Sequence, residues 1–298
     1  MTNSNTVTEA HPVSVIGALK QGFSAALGHL WISLVFWGVS LLLALLAALP
    51  FRSLLLGEAG NSLMVKDLMK GFDYTFLNDF MQSYGAGFTP VLNQSVLLLG
   101  LQYLLLIFLV GGLVKVLWGQ PQLEYRSIFW SGAGTYFWRM LRLSVFFLLI
   151  HGLVLVVFGF LYFKVVKGFS PQALESEGII TSSLSWLVPL YVLVAALPMM
   201  WQDYAKVFLV KNNNRFIWSS IGEGGRFVIR HFAKTYPLYL LNMVLVLVLF
   251  MVNYFLVSLF DISSLGTIIG TFLLSQLFVF VRYAMKMVNQ GSIVALMR

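Results

Sequence analysis

The sequence predicts an all-α, polytopic membrane protein with six transmembrane helices arranged as three hairpins, each preceded by an amphipathic interfacial helix. Composition is the first observation behind this. The 298 residues are 59% hydrophobic and only 10% charged, against about 25% charged in a typical soluble domain. A mean hydropathy of +0.86 leaves too little polar surface to cover a water-soluble fold, so the bilayer acts as solvent. The second observation is six apolar runs, each long enough to cross a membrane as a helix. The third is that Lys and Arg gather in alternate loops between those runs.

We take the chain as one integral membrane domain, 1–298. Residues 1–11 are polar and read as a disordered tail. They lack a basic region leading into a short apolar core, so no cleaved signal peptide is expected. The first amphipathic helix spans residues 12–29, with Pro12 suited to a first helical turn. Val15, Ile16, Leu19, Phe23, Ala26, Leu27 and Leu30 share one face, and Lys20, Gln21 and Ser24 lie away from it. Span one, 30–51, has no charge and ends at Pro50 and Arg52. Residues 52–93 form an extracytoplasmic loop containing a surface helix, striped by Met64, Val65, Leu68, Met69, Phe72, Phe76 and Phe80. The stretch GAGFTP, 85–90, is expected to break that helix.

Span two covers 94–117. The following segment places Glu124, Ser131, Thr135, Arg139 and Arg142 on one face of a largely apolar helix, which should lie deeper than the other surface helices. Span three covers 143–163, where Lys164 and Lys167 can snorkel at the exit. Span four covers 183–201 and carries Pro189 and Pro198 as expected kinks. The longest polar interruption of the second half comes next. In it Ile217, Ile221, Gly225, Val228, Ile229 and Phe232 fall within an arc of roughly 120°, opposite Arg215, Ser219, Glu223, Arg226, Arg230 and Lys234. Such a helix rests in the headgroup layer or packs on the ends of neighbouring spans. Spans five and six cover 237–260 and 265–281, joined by a tight turn.

Charge sets the threading. Arg52, Lys66, Lys70, Lys164 and Lys167 fall on one side of the membrane, and the remaining Lys and Arg fall on the other. The positive-inside rule then puts both termini in the cytoplasm. The order surface helix, span, span recurs three times at intervals of roughly 100 residues. Segments from Ile16 to Gly22, Ile128 to Gly134 and Ile221 to Gly225 head the three units.

Several chemistries are excluded or disfavoured. Without cysteine there is no disulfide, thiol nucleophile or cysteine metal site. His11, His29, His151 and His231 are not spaced as metal ligands. Gly222, Gly224 and Gly225 flank Glu223 and lack the Lys-Ser/Thr of a phosphate loop. No nucleophile elbow or tight carboxylate cluster occurs. The basic balance belongs to the membrane loops, not to nucleic acid. The chain is therefore expected to be non-enzymatic, without cofactor or metal, with membrane lipids and other membrane proteins as its partners.

Two groups of residues remain as candidates. Asp203, at the end of span four, pairs with Lys206 or with an Arg of the following surface helix, or joins Arg226 and Arg230 in a headgroup or partner site. The intramembrane polar residues His151, Asn242, Asn253, Gln102 and Gln276 join helices or line a polar path. No acidic residue lies inside a span, which counts against a proton- or sodium-coupled relay.

The segment DYAKVFLVKNNNRFIWSSIGEGGRFVIRHFAKTYPLYLLN (203–242) and the opening GALKQGFSAALGHLWISLVFW (17–37) resemble uncharacterised bacterial six-helix integral membrane proteins. These look like the membrane domain of some glycerophosphodiester phosphodiesterases, whose catalytic domain has no counterpart here. The resemblance implies a bacterial inner-membrane protein and carries over no catalytic residue. The function expected is lipid interaction or support of a membrane protein complex. The alternative is a permease-like transport component.

Overall fold

A computed structural model describes residues 14–58, 74–119, 124–165, 177–260 and 264–298. Among them the chain is helical without strands. The helices are α1 (Val15–Gly28), α2 (Leu30–Glu58), α3 (Tyr74–Trp118), α4 (Tyr125–Val165), α5 (Glu177–Lys211), α6 (Ile217–Arg230), α7 (Phe232–Ser258) and α8 (Leu265–Met297). Six of them, α2, α3, α4, α5, α7 and α8, are long and apolar enough to cross a membrane. The predicted architecture is therefore present. Most of the 52–93 surface helix lies outside the described residues. Its last part is the start of α3, which runs unbroken through 85–90. The expected break is absent, and Pro90 lies inside the helix.

Two compact units divide the chain, Leu34–Ile107 and a second made of Met1–Ser33 with Phe108–Arg298. In the first, Phe36, Ser40 and Leu43 are buried along one face of α2. Gln102 of α3 donates to the Ser40 hydroxyl at 3.3 Å. This amide joins two helices, a link worth about 1–2 kcal/mol or less in a membrane. Leu42, Leu49, Leu97 and Leu99 point outward, as side chains facing hydrocarbon do.

The second unit contains a repeat in close register. Each surface helix crosses the last turns of a span at a position without a bulky side chain. Gly22 of α1 lies against Val288, Gly291 and Ser292 of α8. Gly132 of α4 lies against Lys115 and Gly112 of α3. Gly224 of α6 lies against Ala205 of α5, where a Cβ would stand 2.9 Å from the Ala205 nitrogen. The helices begin seven residues before their glycines, at Val15, Tyr125 and Ile217. The partner helices end six residues after Gly112, Ala205 and Gly291, at Trp118, Lys211 and Met297. Small residues let the backbones approach closely enough to gain dispersion contacts in lipid. The sequence reading found this repeat but aligned it on Gly134 and Gly225, two and one residues from the crossing glycines.

Seven residues after the crossing glycines stand His29, Arg139 and His231. At both histidines the helix stops in the same conformation, φ −131° and ψ 32° at His29 and φ −116° and ψ 30° at His231. Each imidazole Nδ1 lies on the carbonyl four residues back, Ala25 at 2.9 Å and Phe227 at 3.1 Å. That bond alone does not stop a helix, since His151 makes it to Phe147 inside an unbroken α4. At Arg139 α4 simply continues, so the second surface helix and span three are one helix of 41 residues, about 60 Å long.

The buried stripes also correct the sequence reading. On α1 the buried residues are Ala18, Gly22 and Ala26, while Ile16 and Leu27 are exposed. On α6 they are Ser220, Ile221, Gly224 and Val228, while Ile229 is 77% exposed. The surface helices cross the spans at small residues, with Phe129, Tyr136, Ile221 and Val228 buried beside the crossings, and present other large apolar side chains, such as Ile16, Leu27, Trp138 and Ile229, outward. Spans four and six also outlast their predicted ends. The cations at 206, 211, 282 and 286 mark departure from the apolar layer, and the helices run on to serve as docking posts.

Candidate functional site

The last turns of α5 hold Trp201, Asp203, Lys206, Phe208 and Lys211, and two different faces of α5 receive two different neighbours. On one face Asp203 accepts from Lys206 Nζ at 2.8 Å and from Asn289 Nδ2 of α8 at 2.9 Å. Both side chains of the ion pair are 14% exposed. Tyr204 is buried beside them with its hydroxyl unpartnered. Asp203 therefore ties α5 to α8, and the Lys206 pairing is the one found.

On the other face lies α6. Trp201 Nε1 donates to the Ile221 carbonyl at 2.8 Å. Phe227 packs against Tyr204, Phe208 and His231 at ring separations of 5.4, 5.9 and 4.5 Å. Glu223 is held by Ser219 at 2.9 Å and by Asn212 at 2.5 Å. Two open hollows flank this packed ridge. One, of about 350 Å³, is lined by Phe208, Lys211, Asn212, Glu223, Arg226 and Arg230, among others. The second, of about 440 Å³, is lined by Trp201, Ile221, Gly222, Gly225 and Ile229 with the same two arginines. Arg226 and Arg230 border both, and neither makes a hydrogen bond or ion pair among the described residues. Asp203 lines neither hollow. The structure brings the two arginines together and leaves Asp203 on the opposite face.

The loop before α6 is clamped from α4. Arg139 donates to the Asn213 side-chain oxygen at 2.8 Å and to the Asn213 and Asn214 carbonyls at 3.3 Å. Asn213 has φ 48°, a left-handed conformation that Asn tolerates better than most residues. The three equivalent span ends also meet. The ring of Trp118 lies under Lys211 Nζ at 5.1 Å and under the Arg298 guanidinium at 5.8 Å. Arg298 donates to the carbonyls of Leu117, Trp118 and Gly119, neutralising the free end of α3. Neither clamp was legible in the sequence, because each joins residues more than seventy positions apart.

The intramembrane candidates are scattered. His151 Nε2, Asn242 Oδ1 and Asn253 Oδ1 are buried without a partner. His151 Nδ1 and Asn242 Nδ2 reach carbonyls of their own helices, Phe147 and Leu238. Gln102 bonds Ser40, and Gln276 also has an interaction. None of the five lines either hollow. No group of three metal-ligating side chains occurs among the described residues.

Six membrane-length helices and surface helices docked on their ends define the class: an α-helical, multi-pass membrane protein. No protein-family model, curated protein or solved structure matches the chain.

Proposed function

We propose that this is a non-enzymatic, lipid-interacting protein of the bacterial inner membrane, with both termini in the cytoplasm. One observation carries the reading. The surface helices cross the spans at small residues and leave Ile16, Leu27, Trp130, Trp138, Phe216, Trp218 and Ile229 exposed, beside Lys20, Arg126, Arg226 and Arg230. Aromatic and aliphatic side chains next to cations suit the boundary between headgroups and acyl chains. The resemblance to bacterial six-helix membrane proteins supports the same location. Exposed cations on the cytoplasmic side would also meet the negative surface of that leaflet.

A second reading is a transport component, favoured by the unpartnered buried oxygens of Asn242 and Asn253 and by His151 Nε2. One experiment separates the two. The pure protein in liposomes is expected to leave solute efflux at the level of empty vesicles, and mass spectrometry of the detergent-purified chain to find co-purified phospholipid. Efflux above the empty-vesicle level would overturn the lipid reading in favour of transport.

A further inference from the structure

We propose that the two hollows on α6 form one binding site for an anionic phospholipid, its phosphate between Arg226 and Arg230 and an acyl chain along Trp201, Gly222, Gly225 and Ile229. The inference rests on the lipid-interacting reading and adds a place, a headgroup chemistry and an orientation.

Three features converge on it. The first is charge. Arg226 and Arg230 are one turn apart on α6, so their side chains reach one point. Guanidinium groups bind phosphate oxygens through paired, charge-assisted hydrogen bonds. Lys211 adds a cation to the polar hollow, held over Trp118 and Phe208 at 5.1 and 5.6 Å. Glu223 is the one carboxylate there and is engaged by Ser219 and Asn212, so the lining stays net positive.

The second feature is direction. The apolar hollow meets α5 at Trp201, and the polar hollow meets it at Phe208 and Lys211. Ten residues of helix separate Trp201 from Lys211, about 15 Å. The apolar hollow therefore lies nearer the apolar middle of the span and the charged one further out. A phospholipid in a leaflet has the same order of chain and headgroup. A soluble anion would need only the outer half.

The third feature is the repeat. The positions of Arg226 and Arg230 correspond to Ser24 and Gly28 on α1 and to Gly134 and Trp138 on α4. The frame recurs three times, yet only α6 carries this pair of arginines. Gly222 keeps the inner hollow open, since a Cβ there would meet nothing within 4 Å, while Gly225 makes room for the Trp201 ring that walls the hollow, 2.9 Å from where a Cβ would stand.

The test uses the full chain in detergent, stripped of lipid, titrated with dioleoyl phosphatidylglycerol or dioleoyl phosphatidylcholine and read by native mass spectrometry. The wild type is expected to bind phosphatidylglycerol in preference. Arg226→Gln with Arg230→Gln is expected to weaken that binding roughly tenfold or more, and Arg52→Gln with Lys164→Gln, two exposed cations away from the surface helices, to leave it within about twofold. Gly222→Trp fills the inner hollow without touching charge and is expected to weaken binding as well. All variants are compared as monodisperse peaks. Equal loss from the Arg52/Lys164 pair would reduce the effect to general surface charge and overturn the site, leaving the lipid reading intact. Unchanged binding by Gly222→Trp, or displacement of the lipid by inorganic phosphate at equal concentration, would reassign the arginines to a free anion. A wild type that binds neither lipid would overturn the site and the wider reading together.

Discussion

Asp203 was expected either to pair locally or to build a site with Arg226 and Arg230, and its neighbours explain the outcome. Lys206 lies one turn along the same helix, within reach of the carboxylate in any docking of α5. The second oxygen then takes Asn289 from α8. Removing the carboxylate leaves a half-buried ammonium and an amide without their acceptor, and such a loss costs more than the net worth of the pair. Asp203→Ala is expected to lower stability in detergent by about 1–3 kcal/mol, read as a fall in the thermal midpoint. Asp203→Asn keeps an acceptor for Asn289 and should lose less. Equal midpoints for Asp203→Ala and the wild type would show that this contact does not hold α5 to α8.

At the scale of elements, the docking glycines matter more than the large apolar residues. Gly222 and Gly224 are two apart on α6 and in opposite circumstances. A Cβ at Gly222 meets open space, whereas one at Gly224 meets the Ala205 backbone at 2.9 Å. Gly222→Ala is therefore expected to stabilise the protein by up to about 1 kcal/mol, through helix propensity alone. Gly224→Ala should destabilise it by about 1–3 kcal/mol, since two backbones must part. Thermal melting of the two variants in one detergent provides the check, and a Gly224→Ala protein as stable as wild type would contradict the close crossing. Amphipathic periodicity revealed that α1 and α6 exist and roughly where they end. It did not reveal which face docks. In water all the large apolar side chains would be buried, but beside a bilayer some of them, such as Ile16 and Ile229, can turn to lipid while small residues, with Ile221 and Val228, pack against the spans.

For the whole molecule, the cation distribution argues for threading with both termini in the cytoplasm. A reporter fused after Ala173 should be extracytoplasmic and one fused after Asn213 cytoplasmic; the opposite pattern would invert the threading and remove the expected meeting of Arg226 and Arg230 with the cytoplasmic leaflet. The repeat extends this picture. The ends of α3, α5 and α8 are equivalent in register, and all three are represented at Trp118, through Lys211 and Arg298. Arg298 was counted in the sequence only as one more charge on that side, yet it closes the end of α3. Helix termini need partners for their free carbonyls, and a cation from a distant segment meets that need as well as a local one.

The sequence by itself determined the solvent, the six apolar spans and the three amphipathic segments that precede them in pairs. Those properties depend on composition and on periodicities of a few residues, which any stretch of chain displays locally. The tertiary structure alone decided that Asp203 faces α8 while Arg226 and Arg230 border two hollows, that Gly132 and Gly224 are the crossing points, and that α4 runs through Arg139 without a break. These depend on which faces of separate helices meet, and helical periodicity defines a face without naming its partner.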